Sequence, residues 1–575
     1  MNDCTPDNYD HGHVYPTYAG IRGSTRVEGR GQESRLKRRG LHPRFDAAEV
    51  RAWYEAGLWS KNTLAYYVDR NAEISPSELG VADETTELTF AECRDQAWAL
   101  AGSLAAMGLD DESVVSIQLP NVVEAVITYY ALCRLGCVIV PRMMIYRESE
   151  LRDAIDRTNA NTFITVDNHR AFDHGAMALN LAQLCPSLQH VVLLGDAPTG
   201  TSSLEVLIET GDPYDGLLPP PDDDQIIIFT SGTTALPKGA LHSFNSHSAT
   251  ARVLNLEMDL KVGDRCFMPS PVMHNTGLNA GVISPCIGGF GTVLQDAWDA
   301  EVAIELVARF GCTHTMGATP FATMMADASE SGGHDISGFR MFGCGGAPIP
   351  AAVVHRAEDA LGIKMLAIFG QSEFGVETMT KLTDPVERVA ASDGCAVAFN
   401  DVRILDDGGN ELQPGEEGEI CSWGPMVMLD YWQDPERTAE VFTSDGHFRS
   451  GDLGRMDADG YIRVTGRKKE LVNRGGVKIA PREIEDILIT HPDIADAAVI
   501  GMPDERLGER ICAFIVPAVG AEPTFEIVTE HVRAQGVAIQ KLPERVELID
   551  ELPRTATGKV EKFRLRELLE HQLEP

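Results

Sequence analysis

The chain has 575 residues, 43% of them hydrophobic, so it can bury a sizeable core and is long enough for several domains. Its 86 acidic residues outnumber the 49 Lys and Arg residues, which gives a formal net charge of −37. Such a surface repels nucleic acid and anionic lipid, so we expect neither as a partner. A site for any anionic ligand therefore needs local cations that overcome this field.

The twelve cysteines include no Cys-x-x-Cys pair and no Cys/His cluster with zinc spacing, so we expect reduced, structural thiols. The N-terminus carries Asp3 and no apolar segment before a cleavage site, which predicts no secretory signal and a cytoplasmic protein. The most apolar region, 114–140, is interrupted by Pro120, Glu124 and Arg134. It indicates a strand, a turn and a buried helix rather than a membrane span.

Residues 1–45 are rich in Gly, Arg, Tyr and Asp without a sustained apolar period, which indicates a tail or an arm laid over the surface. From residue 46 onward, strand patterns alternate with helix patterns. This alternation predicts an α/β fold with parallel sheet and helices on both faces. The predicted elements are, in chain order, a strand at 88–92, a helix at 97–107, a strand at 113–119, a helix at 122–135, a strand at 137–140, and further units at 162–166, 190–194, 304–308 and 364–369.

The pattern changes after Gly466 to that of a compact, separable α+β unit of about 100 residues. We therefore predict a large domain at 46–468 and a C-terminal domain at 469–575. The elements predicted for the smaller unit are a helix at 481–490, strands near 497–500 and 512–516, a helix at 527–535 and a strand at 545–549.

The run Phe229–Ala240 combines glycines, Ser and Thr hydroxyls and Lys238, and it follows directly on the apolar strand Ile226–Ile228. Glycine lets the backbone approach an anion, hydroxyls donate hydrogen bonds to phosphate oxygens, and a lysine adds a mobile positive charge. The spacing does not fit Gly-x-x-x-x-Gly-Lys-Ser/Thr, which disfavours a P-loop NTPase. We interpret the run as a phosphate-binding loop, with a mobile polar loop between two strands as the open alternative.

Further motifs follow this loop in order: Phe369-Gly-Gln-Ser-Glu373, Ser450-Gly-Asp452-Leu, Gly466-Arg467-Lys-Lys469-Glu and Pro553-Arg-Thr-Ala-Thr-Gly-Lys559. Together with the loop they resemble the signature of the adenylate-forming superfamily, which includes acyl-CoA and aryl-CoA synthetases, peptide-synthetase adenylation domains and luciferases. The resemblance extends from about Trp59 to Leu569. It implies a large N-terminal adenylate-forming domain of βα-layered subdomains and a small, mobile α+β C-terminal domain.

The resemblance also implies ATP, Mg²⁺ and coenzyme A, the last as co-substrate. Glu373 would hold the magnesium ion, Ser372 and Lys559 would reach the α-phosphate, and Lys469 would be the hinge. The implied nucleotide-binding residues are Thr230, Ser231, Gly232, Thr233, Thr234 and Lys238 for the β- and γ-phosphates, Gly345, Gly346, Ala347, Phe369, Gly370 and Gln371 around the adenine, and Asp452 and Arg467 at the ribose.

On the acid side, the resemblance implies that His274 and Asn275 line or gate the acyl pocket. Gly475 and Gly476 would let the thiol arm pass close to the backbone. A core histidine at His274 is an open alternative. Three further alternatives are open: a tight turn without a ligand at 345–346, a surface carboxylate at 373 and a solvated lysine at 559.

Two positions depart from the pattern of the superfamily. Ala235 stands where a second glycine is usual, which stiffens the loop, and Phe244 stands where a histidine is usual, which removes a secondary contact. Neither change removes a group that the chemistry needs.

The resemblance implies an enzyme, an ATP-dependent acid-thiol ligase that makes an acyl-CoA through an acyl-AMP. The alternative is a stand-alone adenylating enzyme that loads a carrier protein. A catalytically silent nucleotide-binding protein is disfavoured, because the cations and carboxylates of the motifs are all present. The segment from 295–299 through 318–321, with Gly475, Gly476 and 504–510, looks closest to cyclohexanecarboxylate-CoA ligases and, less closely, dihydroxybenzoate-AMP ligases. This resemblance indicates a cyclic, aromatic or medium-length acid. A homodimer is left open.

Overall fold

The computed structural model describes residues 40–230, 237–346, 349–504, 506–554 and 560–573. These residues form the following α-helices: α1 Ala47–Glu55, α2 Leu64–Ile74, α3 Phe90–Ala106, α4 Val123–Leu135, α5 Glu148–Thr158, α6 His174–Leu184, α7 Leu204–Thr210, α8 Phe244–Glu257, α9 Asn275–Leu278, α10 Ser284–Gly288, α11 Ala300–Phe310, α12 Thr319–Gly332, α13 Ala351–Leu361, α14 Val386–Ala391, α15 Pro435–Glu440, α16 Pro481–Leu488, α17 Phe525–Ala534 and α18 Lys562–Leu573.

A π-helical segment, Asn279–Ile283, joins α9 to α10, and short 3₁₀ turns lie at Lys468–Glu470 and Ile539–Lys541. The strands are β1 Leu79–Ala82, β2 Glu87–Thr89, β3 Val114–Ile117, β4 Val138–Pro141, β5 Thr162–Val166, β6 Asn168–His169, β7 Phe172–Asp173, β8 His190–Leu194, β9 Ser202–Ser203, β10 Asp224–Thr230, β11 Lys238–Ser243, β12 Arg265–Met268, β13 Gly291–Leu294, β14 His314–Gly317, β15 Met341–Gly345, β16 Lys364–Gln371, β17 Gly375–Met379, β18 Cys395–Ala396, β19 Asp401–Leu405, β20 Glu417–Trp423, β21 Asp430–Tyr431, β22 Phe448–Met456, β23 Ile462–Arg467, β24 Val472–Arg474, β25 Val477–Ile479, β26 Ile494–Asp504, β27 Gly508–Pro517 and β28 Arg545–Leu548.

Two mixed sheets form most of the large domain. One has the strand order β18-β17-β16-β15-β14-β12-β13-β1-β2, with a parallel centre and antiparallel strands at both ends. The other has the order β21-β11-β10-β4-β3-β5-β8-β9, in which β10 is parallel to β4 and antiparallel to β11. An antiparallel sheet, β19-β20-β22-β23, follows before the C-terminal unit. The mixed α/β class that the sequence predicts is confirmed.

The C-terminal unit is built on β26 and β27, a long antiparallel pair, with β24 and β25 on one side and β28 parallel to β27. The helices α16 and α17 are found close to the predicted ranges, at Pro481–Leu488 and Phe525–Ala534. Apolar residues of these helices and strands share a core of their own. A small α+β unit is therefore present, while the boundary at residues 468 and 469 stays a prediction.

The helix predicted at 97–107 is longer than expected and begins at Phe90. The Thr89 hydroxyl accepts from the Glu92 backbone N–H at 3.3 Å, and the Glu92 carboxylate accepts from the Thr89 N–H at 2.8 Å. This capping box starts the helix and ends the preceding strand at Thr89, three residues before its predicted end. Of the further predicted units, 162–166 and 190–194 are the strands β5 and β8, and 304–308 lies inside the helix α11.

The end of the predicted tail packs into an aromatic cluster. Phe45 lies edge-on to Trp53 and Trp59, with ring centroids 5.6 Å and 5.3 Å away. Trp59 is only 2% exposed and donates its indole N–H to the Pro425 carbonyl at 2.9 Å. Residues 40–45 are thus part of the folded body. The remainder of the predicted tail, 1–39, lies outside the described residues.

Among the described helices, none is both long and apolar enough to cross a membrane, in agreement with the reading of 114–140. That region folds as β3, the buried helix α4 and β4. The cytoplasmic location stays a prediction.

We expect Trp59→Ala to lower the free energy of unfolding by about 3–5 kcal/mol, because it empties a large buried site and leaves the Pro425 carbonyl without its donor. Leu217→Ala is the control, since Leu217 is 90% exposed and should change stability by less than about 0.5 kcal/mol. Urea unfolding followed by circular dichroism measures both. Equal midpoints for the two variants would contradict the role of Trp59 in the core.

Candidate active site

The predicted phosphate-binding run lies at the tip of a β-hairpin. β10 and β11 pair antiparallel, with Thr230 opposite Lys238, so the loop between them connects the ends of two buried strands. Of the predicted loop residues, Thr230 and Lys238 belong to these strand ends. The remaining ones, Ser231, Gly232, Thr233, Thr234 and Ala235, lie outside the described residues.

Glu373 lies at the turn between β16 and β17 and points at this hairpin. Its carboxylate accepts from the Tyr431 hydroxyl at 3.0 Å and faces the Thr230 hydroxyl at 3.4 Å. Its backbone carbonyl accepts from the Met428 N–H at 2.8 Å. Glu373 is 8% exposed. The pKa of Tyr431 is raised, first by burial of the Tyr431 hydroxyl and then by the negative charge of Glu373. The turn of one sheet is thereby joined to the phosphate-loop strands of the other.

The surroundings of Glu373 fit a magnesium ion held partly by a nucleotide. Within the described ranges, no group of three or more His, Cys, Asp or Glu side chains is arranged to hold a metal alone. Mg²⁺ usually binds proteins through one or two carboxylates and takes its other ligands from waters and substrate phosphates. A single buried carboxylate beside a predicted phosphate-binding loop therefore suits this ion. The role of Glu373 stays a prediction.

Asp452 and Arg467 are cross-strand neighbours on β22 and β23. The guanidinium Nε of Arg467 lies 3.0 Å from a carboxylate oxygen of Asp452, and the charge of Asp452 raises the pKa of Arg467. Lys469 follows in the 3₁₀ turn, where burial, and then the charges of Arg467 and Lys238, lower its pKa. The structure therefore brings the predicted ribose, hinge and phosphate cations into one region. Their individual roles remain predictions.

Lys238 also lies over the ring of Tyr431, with its Nζ 4.7 Å from the ring centroid. This contact places a cation on the same aromatic side chain that donates to Glu373. Lys238 and Glu373 thus both contact Tyr431, Lys238 at the ring and Glu373 at the hydroxyl.

The predicted adenine residues lie on adjacent strands. Phe369 on β16 packs against the apolar core of the four-stranded sheet, and Gly345 ends the neighbouring strand β15. A Cβ at Gly345 would come within 2.5 Å of the Ile368 carbonyl, and one at Gly370 within 2.0 Å of the Gly375 carbonyl. Glycine at both positions is therefore required by sheet packing alone. Ala347 lies outside the described residues, and Gly346 has a positive φ of 81°.

Gln371 ends β16 and is held by Glu377, a carboxyl that the motif analysis missed. Gln371 Nε2 donates to Glu377 at 2.8 Å, and the Ser422 hydroxyl donates to the other oxygen of the same carboxylate. Glu377 is fully buried, which raises its pKa to about 7; the nearby charges of Asp452 and Glu373 act in the same direction.

His274 directly precedes α9, and its ring accepts from the Thr276 N–H at 3.3 Å, so it caps this helix. Asn275 is the first residue of α9, and its amide oxygen lies 2.8 Å from Nε2 of His247 on α8. The predicted role of His274 as an aromatic gate is untested. The capping contact shows a structural role for its side chain.

Asn121 holds the segment that precedes His274. Its amide N–H groups point to the Ser270 and Gln295 carbonyls at 3.0 Å and 3.1 Å, and its carbonyl accepts from the Val272 N–H at 2.8 Å. A single buried side chain thus fixes the backbone on the way to Asn275.

Gly475 and Gly476 form the two-residue turn of the β24–β25 hairpin, with φ of 61° and 88°. Such turns need positive φ at both central residues, which accounts for two glycines without any ligand. Arg474, which precedes these glycines, donates from two guanidinium nitrogens to the Glu544 carboxylate, at 3.0 Å and 2.9 Å. Lys559 lies outside the described residues.

Sequence reasoning missed Tyr431, Glu377, His242 and His247. Tyr431 stands in an apolar run that reads only as a strand, and Glu377 stands as one charge in Phe374–Met379. A lone polar residue in such a run is a weak signal for a buried partner. Phe244, noted as a departure, is buried core at the start of α8.

This fold and site define a nucleotide-dependent, adenylate-forming enzyme, and comparison with known proteins agrees. The model of the AMP-binding enzyme family matches residues 68–432, and that of the AMP-binding enzyme C-terminal domain matches 483–559. The chain belongs to the AMP-binding enzyme family. The predicted membership of the adenylate-forming superfamily is confirmed, and so is the prediction that the protein is a ligase.

The chain is 35% identical over 527 residues to the medium-chain fatty-acid–CoA ligase of Escherichia coli (strain K12), covering 91% of this chain and 93% of that protein. It is 29% identical over 531 residues to the 2,3-dihydroxybenzoate-AMP ligase of Bacillus subtilis (strain 168), covering 90% and 95%. The ATP-bound crystal structure of MatB from Rhodopseudomonas palustris superposes with a TM-score of 0.80 at 27% identity, covering 89% of this chain and 100% of that chain. Use of ATP is general in this family.

Replacing Glu377 with Gln should remove a pH dependence of stability. Burial raises the folded-state pKa of Glu377 from 4.5 to about 7, so the folded protein holds a proton that the unfolded chain has lost. The contribution of Glu377 to the free energy of unfolding is fully present below pH 4.5. It falls by about 3 kcal/mol as the pH rises to about 7. Glu377→Gln, which stays neutral, should not show this loss.

Urea unfolding at pH 4.5 and pH 8 measures the difference. The stability of the variant relative to wild type should rise by about 3 kcal/mol between these values. Glu387→Gln is the control, because that side chain is exposed on α14. A relative stability of Glu377→Gln that is the same at both pH values would contradict a raised pKa at this site.

Proposed function

We propose that this enzyme is an ATP-dependent ligase that activates a carboxylic acid as an acyl-AMP and transfers the acyl group to the thiol of coenzyme A. The observation that carries the proposal is the position of Glu373. Its buried carboxylate contacts Tyr431 and Thr230 at the phosphate-loop hairpin, and Lys238 lies over the Tyr431 ring. The pair Asp452–Arg467 supplies a second polar anchor nearby.

The first half-reaction joins the acid to AMP. A carboxylate oxygen of the acid attacks the α-phosphorus of ATP, the bond to pyrophosphate breaks, and the acyl-AMP and pyrophosphate remain. Negative charge develops on phosphoryl oxygens in this displacement, so fixed cations and hydrogen-bond donors stabilise the transition state. Lys238 and Thr230 would orient the β- and γ-phosphates, and Lys559 would meet the charge at the α-phosphate.

A bound magnesium ion would neutralise part of the phosphate charge when held by Glu373. The Asp452 carboxylate would accept both ribose hydroxyls, while Arg467 keeps that carboxylate in place. The buried Tyr431 hydroxyl orients Glu373 toward the loop. In the second half-reaction the thiol sulfur attacks the acyl carbon, the acyl–phosphate bond breaks, and AMP leaves.

The two half-reactions would use two positions of the C-terminal domain, related by rotation about Lys469. Ion pairs cross the predicted boundary in the present arrangement: Arg482 on α16 lies 3.8 Å from Asp393, and Arg463 on β23 lies 3.7 Å from Asp486 on α16. These distances exceed hydrogen-bond lengths. Such contacts bias the arrangement without fixing it, which suits a domain that must move.

The second candidate is an enzyme that passes the acyl group to a carrier protein. The 29% identity to a 2,3-dihydroxybenzoate-AMP ligase and 32% identity to pyochelin synthase PchD of Pseudomonas aeruginosa (strain UCBPP-PA14) favour retaining it. This candidate shares the first half-reaction and differs only in the partner.

The test is incubation of the protein with Mg²⁺, ATP and pooled aliphatic, alicyclic and aromatic carboxylates, with and without coenzyme A. Acid-dependent AMP release and a thioester that both require coenzyme A would support the ligase. Acid-dependent pyrophosphate–ATP exchange without turnover on coenzyme A would favour the carrier-protein candidate. Acid-independent ATP consumption would contradict both.

Lys559→Ala should lower the rate of adenylation by about 10²–10³-fold, as loss of one fixed donor at a charged transition state commonly does. Nucleotide binding and thioester formation from supplied acyl-AMP should largely survive, because Lys559 acts in the first half-reaction. Lys562→Ala is not a suitable control, since Lys562 is buried against Glu470 and Glu485. The exposed Lys261→Ala serves instead. Adenylation at the unmodified rate in Lys559→Ala would contradict the assigned role.

A further inference from the structure

The segment 428–431 holds Glu373 at two points. The Met428 N–H donates to the Glu373 backbone carbonyl at 2.8 Å, and the Tyr431 hydroxyl donates to the Glu373 carboxylate at 3.0 Å. The strand β21 within this segment pairs with β11, which leads out of the phosphate loop. A shift of this short segment would therefore move the donor on Glu373.

The same segment is bound by residues 40–45, which we call the arm. Arg44 donates from one guanidinium nitrogen to the Leu429 carbonyl and from another to the Asp430 carboxylate, the latter at 3.0 Å. The other oxygen of that carboxylate lies 2.8 Å from His42 Nε2. Because an ionised carboxylate can only accept, Nε2 carries the proton and donates to it. Two side chains of the arm thus bind one carboxylate.

The arm is fixed to the folded body by packing. Phe45 is buried against Trp59, and the Arg44 guanidinium lies over the Phe442 ring, 3.7 Å from its centroid. The Arg44 backbone N–H donates to His42 Nδ1 at 3.2 Å, so both ring nitrogens of His42 have partners. Both side chains are therefore held in one arrangement, and little conformational freedom is left to lose when they bind the carboxylate.

Burial and charge strengthen the contact with Asp430. His42 is 8% exposed, and the side chain of Arg44 is 18% exposed. Burial alone would raise the pKa of Asp430, but the contacts with His42 and Arg44 outweigh it and lower this pKa. The carboxylate is therefore ionised, and hydrogen bonds between ionised partners are roughly twice as strong as neutral ones.

We propose that the arm, chiefly Arg44, positions the carboxylate of Glu373 for a metal-bound nucleotide. It acts through the segment 428–431, which it holds at Asp430 and which carries the Tyr431 hydroxyl. The inference rests on the proposed function. Without Arg44 the segment is less confined, and its hydroxyl is free to leave Glu373. The carboxylate must then be ordered when the nucleotide binds, and binding is weakened by that cost.

Calorimetric titration of ATP into full-length Arg44→Ala, with and without Mg²⁺, tests this link. The Kd without Mg²⁺ should change little, because Arg44 acts on the carboxylate and not on the nucleotide. The gain in affinity from Mg²⁺ should fall by about 3- to 10-fold, as is common for residues coupled to a site through a chain of contacts. Arg388→Ala is the matched control and should keep the wild-type gain. Arg388 likewise binds carboxylates, those of Asp457 and Asp459, and lies over the Tyr461 ring, but it is on α14.

Hydrogen exchange of the nucleotide-free protein, followed by mass spectrometry, gives a readout that needs neither metal nor activity. Peptides that contain 428–432 should exchange faster in Arg44→Ala than in the wild type, because the segment opens more often. Arg388→Ala should leave their exchange unchanged. Wild-type exchange of this segment in Arg44→Ala would overturn the proposal.

Tyr431→Phe separates a positioning role from a merely structural one. If Arg44 acts through the Tyr431 hydroxyl, adding Arg44→Ala to Tyr431→Phe should cause little further loss of the gain from Mg²⁺, whereas independent effects add. Arg44→Lys keeps the charge without the planar fork and should recover part of the loss. Thermal unfolding shows whether each variant is folded. Asp430→Asn keeps the size of its side chain, should show the same loss, and decides the question if Arg44→Ala does not fold.

The outcomes separate the role of the arm from the underlying activity. A gain from Mg²⁺ in Arg44→Ala or Asp430→Asn equal to that of the wild type would overturn the positioning role while leaving the ligase in place. Additive losses in the double variant would also overturn it. If the wild type shows neither Mg²⁺-dependent ATP binding nor acid-dependent pyrophosphate–ATP exchange, the proposed function and this inference fail together.

Discussion

The contact of the Glu373 carboxylate with Tyr431 and Thr230 is the interaction on which the site depends. Glu373 lies at the turn between two strands of one large sheet, Thr230 ends a strand of the other, and Tyr431 lies on the edge strand beside it. A buried carboxylate is tolerated only where donors or a cation satisfy it. Tyr431 supplies a donor, and the predicted magnesium ion would supply the cation. The same contact joins the two large sheets at the site.

The negative charge of the chain and of the site opposes binding of a nucleotide. The chain carries a net charge of −37, and Glu373, Glu377 and Asp452 are close enough for the charges of the other two to raise the pKa of Glu377. Lys238, Arg467 and Lys469 supply local positive charge against this unfavourable field. We infer that binding of a metal-bound nucleotide relieves carboxylate repulsion as well as placing the phosphates. The most negative part of the site is thus also the part that a divalent cation suits best.

Sequence patterns predicted the α/β class, several strands and the small C-terminal unit, because apolar periodicity and turn residues are local signals. They also marked Lys238, Glu373, Asp452 and Arg467, which the fold brings into one region. They could not reveal the partners of these residues. Tyr431 is 58 residues from Glu373, and Ser422 is 45 from Glu377, so these contacts depend on how whole sheets pack. A hairpin turn is enough to explain the paired glycines at 475 and 476, so their role at the thiol arm stays a prediction.

Titration of ATP into the wild-type protein and into Glu373→Gln, with and without Mg²⁺, tests the central role of this carboxylate most directly. Isothermal calorimetry gives the Kd in each case. If Glu373 holds the metal, Mg²⁺ should tighten ATP binding to the wild type, and Glu373→Gln should lose about 10-fold or more of that gain with little change in its absence. An equal gain from Mg²⁺ in both proteins would contradict the account, because the metal would then be held elsewhere.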